Sequence, residues 1–158
     1  MAGIVKPLRS YRNVMTNDII NPLEEEIEKE GDHYWIVRKK EFPDRDGRYK
    51  ESPTVLSSKS IKLLKALKEI FQKHATNYKI IINPTYSQVQ LNPIDLKELQ
   101  QIFGAENVFD FSGINEYTNN IHNYYERSHY RPSLGRLLLK KIYTANTSLS
   151  GKPKRSAK

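Results

Sequence analysis

No cysteine occurs among the 158 residues, which excludes disulfides and thiolate metal ligands at once. Histidine is scarce as well. His33, His74, His122 and His129 stand apart, with no His-Glu-x-x-His pair or other ligand spacing, so neither a metal nor a cofactor is expected. Long aliphatic runs are also missing: residues 80–82 and 137–139 fall far below the roughly 20 that a bilayer-spanning helix needs. The first residues lack the apolar block of a secretory signal, and the expectation is a cytoplasmic chain with no membrane span.

Acidic charge is in the minority, 18 Asp and Glu against 26 Lys and Arg, which leaves a formal charge of +8. Such an excess raises nucleic acid as a partner, because clustered Lys and Arg neutralise phosphates and release counterions. The distribution argues against it. Lys152, Lys154, Arg155 and Lys158 belong to a Ser-, Gly- and Pro-containing tail, residues 147–158, that reads as disordered. Lys59, Lys62, Lys65, Lys68 and Lys73 fit the solvated face of a helix, and no zinc-finger, helix-turn-helix or RNP-like signature is present.

Periodicity divides the rest. Residues 1–56 read as an N-terminal helix-and-loop region: a lead of no clear period to residue 17, then a helix near Pro22 carrying Ile19, Ile20, Leu23 and Ile27, then a candidate short strand at 33–37. Pro43-Asp44-Arg45-Asp46-Gly47 and Ser52-Pro53 mark residues 38–54 as a long loop. Residues 57–146 are more regular. Ser57 or Ser58 caps a helix to about residue 73, with Ile61, Leu64, Leu67, Ile70 and Phe71 as its expected buried stripe. Residues 78–82 form an apolar strand that stops at Asn83-Pro84. A helix then runs from Pro93 to Phe103 with Asn92 as cap and Gly104 as terminator. Residues 107–111 make the next strand, and after a polar loop Pro132-Ser133 opens a last helix with Leu134, Leu137, Leu138 and Ile142.

Strand, helix, strand, helix at these intervals predicts an α/β fold, a short parallel sheet covered by helices. Ligands of such sheets gather beyond the carboxyl ends of the strands, and those ends deliver Asn83-Pro84-Thr85-Tyr86, Asp110-Phe111-Ser112-Gly113 and the loop of Glu126 and His129. A carboxylate three residues before a histidine suits a base whose imidazole is oriented by an acid. Asn83, Thr85, Tyr125 and Tyr130 are the expected substrate contacts, the tyrosines by stacking on a sugar or a base, with the rim of the core as their alternative place. A structural role is the alternative, with His129 packed between Tyr125 and Tyr130 and hydrogen-bonded to Glu126. Asp110 is expected to accept backbone donors from Ser112-Gly113, and His122 to be an exposed loop residue.

From residue 57 to 143 the order of elements resembles the C-terminal half of an SGNH (GDSL-type) hydrolase: the strand ending near Asn83-Pro84-Thr85, a helix, the strand Val108-Phe109-Asp110-Phe111, then Glu126-Arg127-Ser128-His129 before the last helix. The resemblance implies a flavodoxin-like sheet and ester hydrolysis or acyl transfer on acyl or carbohydrate esters, with His129 as general base and Glu126 in the place of the family's usual Asp. The family's Gly-Asp-Ser nucleophile motif does not occur in the chain. A further expectation is that two strands are too few for a stable sheet, since about 4 to 6 are usual. More strands must come from residues 1–56, from self-association, from a protein partner, or from the remainder of a longer or degenerate hydrolase. The competing functional expectation is a non-enzymatic basic module that binds a protein or an anionic partner.

Overall fold

The computed structural model describes residues 11–12, 15 and 19–147, so most of the expected lead and the tail beyond residue 147 lie outside the described residues. The chain forms two compact units, Met1–Pro43 and Asp44–Lys158. The segment after Pro43 is bonded to the second unit: Ser52 N–H donates to the Gln90 carbonyl at 2.9 Å and Asn92 N–H to Ser52 Oγ at 3.1 Å.

In the first unit β1 (Tyr11–Arg12) pairs antiparallel with β2 (Ile19–Ile20), followed by helices α1 (Leu23–Glu30) and α2 (His33–Val37). Helix α1 opens directly behind Pro22, with Asn21 Oδ1 accepting from Leu23 N–H at 3.0 Å and Glu24, Glu25 and Glu26 in the first turn, where carboxylates favour the helix dipole. The expected strand at 33–37 is a helical turn. Its backbone bonds run to the fourth residue back, Ile36 N–H to the Asp32 carbonyl at 3.4 Å and Arg38 N–H to the Tyr34 carbonyl at 3.3 Å, and Tyr34 and Trp35 are buried while Ile36 and Val37 are exposed. Arg38 locks the two helices through Glu26 at 2.7 Å and lies over the Tyr34 ring at 4.3 Å.

The second unit runs β3 (Lys50–Glu51), α3 (Ser58–Lys73), β4 (Ile80–Ile82), β5 (Val89–Gln90), α4 (Pro93–Phe103), β6 (Val108–Asp110), α5 (Glu116–Asn119), β7 (Tyr124–Glu126), β8 (His129–Tyr130) and α6 (Pro132–Thr147). It is a mixed α/β unit. Strands β4 and β6 pair parallel in the register Ile80↔Val108, Ile81↔Phe109, Ile82↔Asp110, with α4 in the connection. Instead of one continuous sheet there are small two-stranded ones: β3 pairs parallel with β5, and β7 antiparallel with β8. No helix among the described residues is long and apolar enough to cross a membrane.

Local chemistry explains the helix ends. Ser57 Oγ accepts from Ser60 N–H at 3.1 Å, Asn92 Oδ1 from Ile94 N–H at 2.9 Å, Pro93 takes the first turn of α4, and Gly104 ends that helix at a φ of +87°. Tyr78 joins three elements by stacking on Phe71 at 4.7 Å, meeting Phe103 edge-on at 5.8 Å and donating its hydroxyl to the Phe103 carbonyl at 3.0 Å.

The expected stripe of α3 is only half used. Ile61, Leu64 and Phe71 are half-buried, but Leu67 is 38% and Ile70 54% exposed, and with Leu63 at 63% they form a second stripe roughly a third of a turn away. Two strands are too narrow to cover both flanks. On α6 the buried line is Leu134, Leu138 and Ile142, with Leu137 outside it.

Asp95, in the first turn of α4, is buried and accepts from Val55 N–H at 2.7 Å and Leu56 N–H at 3.3 Å, fastening the entry to α3 onto α4. An Asp95→Ala variant orphans both donors and is expected to lose about 1–3 kcal/mol of stability, measured by urea unfolding. A loss within experimental error would show that this clamp is not structural.

Candidate active site

Glu126 ends β7 and His129 begins β8, with only Arg127 and Ser128 between them, so the two side chains become cross-strand neighbours: their Cα atoms are registered as partners. One carboxylate oxygen of Glu126 contacts Nδ1 of His129, and the other accepts from Ser128 N–H at 2.8 Å. The Glu126 side chain is 26% exposed and that of His129 79%, so the acid is sheltered and the imidazole open to solvent. Burial alone would push the Glu126 carboxyl upward. The hydrogen bonds from His129 and Ser128 outweigh it and hold the group below its ordinary value.

The arrangement has a chemical consequence. With Nδ1 turned to a carboxylate, the neutral ring carries its proton there and keeps a lone pair on Nε2, the tautomer a general base requires.

The base of the hairpin is pinned at both strands. Tyr130 donates its hydroxyl to Asn83 Oδ1 at 3.2 Å, while Arg131 N–H reaches the Asn123 carbonyl at 2.8 Å and its guanidinium the His122 carbonyl at 3.2 Å. Asn83 follows β4 directly, so the hairpin stands beside the carboxyl end of the parallel pair, where the sequence pattern put it.

At that end a polar clamp joins the two parallel pairs. Gln90 Nε2 donates to Asp110 Oδ2 at 2.8 Å and to Ser112 Oγ at 2.9 Å; Ser112 Oγ donates to Asp110 Oδ1 at 2.6 Å and accepts from Leu91 N–H at 2.9 Å. Asp110 also accepts from Ser112 N–H at 2.9 Å, the backbone role expected of it. Gly113 has a φ of +75°, which strains any other residue, and an added Cβ would meet the Gln90 amide that makes the clamp.

The expected site residues therefore separate. Glu126, His129, Tyr130 and Asn83 come together. Thr85 does not join them; its hydroxyl lies 3.1 Å from that of Ser87. Tyr125 is 4% exposed and belongs to the core together with its neighbour Tyr124, where the register of β7 shifts between Tyr124 and Glu126. His122 is exposed, in a short 3-10 turn. Among the described residues no serine hydroxyl bonds to His129, and no group of three His, Cys, Asp or Glu could hold a metal ion.

Sequence reasoning missed Arg45, whose guanidinium reaches the carbonyls of Thr118 and Asn119 and lies 4.3 Å from the centre of the Tyr86 ring. It also missed the Asn115 cap, which accepts from Tyr117 and Thr118 N–H at 2.9 and 3.1 Å. The one signal available was Asn115 with Thr118 three residues on, a spacing at which the hydroxyl returns a bond to the cap N–H at 3.0 Å.

No protein-family model, curated protein or solved structure matches the chain. Geometry and chemistry alone carry the functional argument.

A carboxyl whose folded value is depressed contributes stability above its unfolded pKa and loses it as pH falls through the folded one. The stability difference between wild type and Glu126→Gln is therefore expected to be full at neutral pH and to shrink as pH drops below the ordinary glutamate range, followed by urea midpoints across pH. A difference that stays constant with pH would contradict the charge-assisted contact.

Proposed function

We propose that the hairpin supplies the base and orienting acid of an ester hydrolase or acyl-transfer site of the SGNH type, acting on acyl or carbohydrate esters. The observation that carries the reading is the Glu126 carboxylate on Nδ1 of an otherwise exposed His129. In this reading the parallel β4–α4–β6 unit, the hairpin and α6 are the C-terminal part of a flavodoxin-like sheet.

The chemistry follows from the free nitrogen. As a hydroxyl oxygen attacks the ester carbonyl, Nε2 takes its proton, and Glu126 stabilises the imidazolium that forms. When the tetrahedral intermediate collapses, the C–O bond to the leaving alcohol breaks and Nε2 returns the proton to the departing oxygen. The attacking hydroxyl is water or a group from outside the described residues. Asn83, with its carboxamide already turned toward Tyr130, borders the same edge and suits contact with the substrate's polar end.

An activated aryl acetate reports the base without needing a dedicated nucleophile. Wild type is expected to exceed His129→Ala by about 100-fold or more in second-order rate, the lower range of general-base contributions, with the variant's fold checked by circular dichroism. Equal rates would remove His129 from any catalytic role.

A further inference from the structure

A solvent-open pocket of about 420 Å³ lies between α6 and the segment around α5, lined by Glu116, Tyr117, Asn120, Asn123, Lys140 and Lys141 and not by Glu126 or His129. Its volume is at the lower end of the range for small-molecule sites, about 300 to 1,000 Å³, and suits a ligand of one sugar ring. Leu137, Lys140 and Lys141 share one flank of α6 because they recur at three and four residues. That flank is distinct from the buried line of Leu134, Leu138 and Ile142.

The wall is polar in a specific way. Among the described residues Lys140 and Lys141 make no ion pair, and Glu116 is the one carboxylate among the lining residues, so the two lysines give the pocket a net positive charge. Asn120 spends Oδ1 on His122 N–H at 3.0 Å, which leaves its amide donors, and Asn123 spends Nδ2 on the Tyr117 carbonyl at 2.8 Å, which leaves its acceptor oxygen. Tyr117 meets Phe111 edge to face at 5.3 Å, a contact that fixes the ring in the wall. Burial, with the Glu116 carboxylate beside it, raises the Tyr117 phenol, which stays a donor at neutral pH.

We propose that this cavity binds a phosphorylated monosaccharide: Lys140 and Lys141 take the phosphate, Asn120, Asn123 and Glu116 the ring hydroxyls, and the Tyr117 ring one face of the sugar. Lysine ammoniums are point-charge phosphate ligands, and an aromatic wall beside amide donors and acceptors matches the mixed apolar and hydroxylated surface of a pyranose. The site is independent of the hydrolase reading, since it uses neither Glu126 nor His129.

Isothermal titration calorimetry with glucose-6-phosphate tests it, with glucose and inorganic phosphate as separate titrants. The expected result is a one-to-one isotherm for the sugar phosphate, tighter than either half alone. Lys140→Ala with Lys141→Ala should weaken it by at least about tenfold, as the loss of charge-assisted contacts would. Asn120→Ala should weaken the sugar phosphate but leave inorganic phosphate unchanged, and the doubly Arg-substituted Lys140→Arg, Lys141→Arg protein should retain binding, which separates lost charge from lost fold. No binding of glucose-6-phosphate would overturn the proposal. So would inorganic phosphate or glucose binding as tightly, or an equal loss from Lys62→Ala with Lys65→Ala on α3, since that would mean diffuse attraction to a basic surface.

Discussion

The side-chain amide of Gln90 reaches both the Asp110 carboxylate and the Ser112 hydroxyl, and the geometry of the second unit depends on that junction. It ties the end of β5 to the end of β6, and so joins the β3–β5 pair to the β4–β6 pair where each has only two or three residues of its own. Short parallel strands gain little from their ladder bonds alone. The half-buried Asp110 carboxylate is tolerable there because backbone and side-chain donors from Ser112 and Gln90 surround it. Everything beyond the strand ends starts from this anchored edge: the Gly113 turn, the Asn115 cap, the hairpin and α6.

The hairpin adds the functional asymmetry. A two-residue connection between Glu126 and His129 leaves their side chains few ways to avoid each other, and the Ser128 N–H occupies the carboxylate oxygen that the imidazole does not use. Orientation of the acid is thus built from the turn itself rather than from distant packing. Tyr124 and Tyr125 go into the core on the same strand, so the pair sits on a buried footing while His129 projects outward. An imidazole held at Nδ1 with its other nitrogen open to solvent is what the proposed proton transfer would use.

Much of this was legible from local sequence, and the boundary of legibility is physical. Ser57, Asn92-Pro93 and Gly104 mark helix ends through bonds to neighbours a few residues away, and the structure uses each as the pattern implies. The parallel pairing of the apolar strands followed from their short, helix-bearing connection. What failed was non-local. The β3–β5 pairing joins residues about forty positions apart in two-residue strands that carry no period. Residues 33–37 are apolar and β-branched enough for a strand, yet after the turn at Gly31 their backbone groups bond within the segment, Ile36 N–H to the Asp32 carbonyl and Arg38 N–H to the Tyr34 carbonyl, and they are helical. On α3 a continuous apolar arc predicted burial, but the arc is wider than the surface that meets it, leaving Leu63, Leu67 and Ile70 on the outside. Spacing alone placed Glu126 and His129 next to each other, whereas the burial of Tyr125 and the Thr85 hydroxyl's contact with Ser87 carry no period in the sequence.

If the Glu126 carboxylate sets the tautomer of His129, the neutral ring carries its proton on Nδ1 and its lone pair on Nε2. Heteronuclear NMR of the imidazole nitrogens, at a pH where the ring is neutral, reads this out. The Nδ1–H tautomer, with Nε2 unprotonated, is expected in wild type, and its preference should be lost in Glu126→Gln. A dominant Nε2–H tautomer in wild type would overturn the proposed role of Glu126.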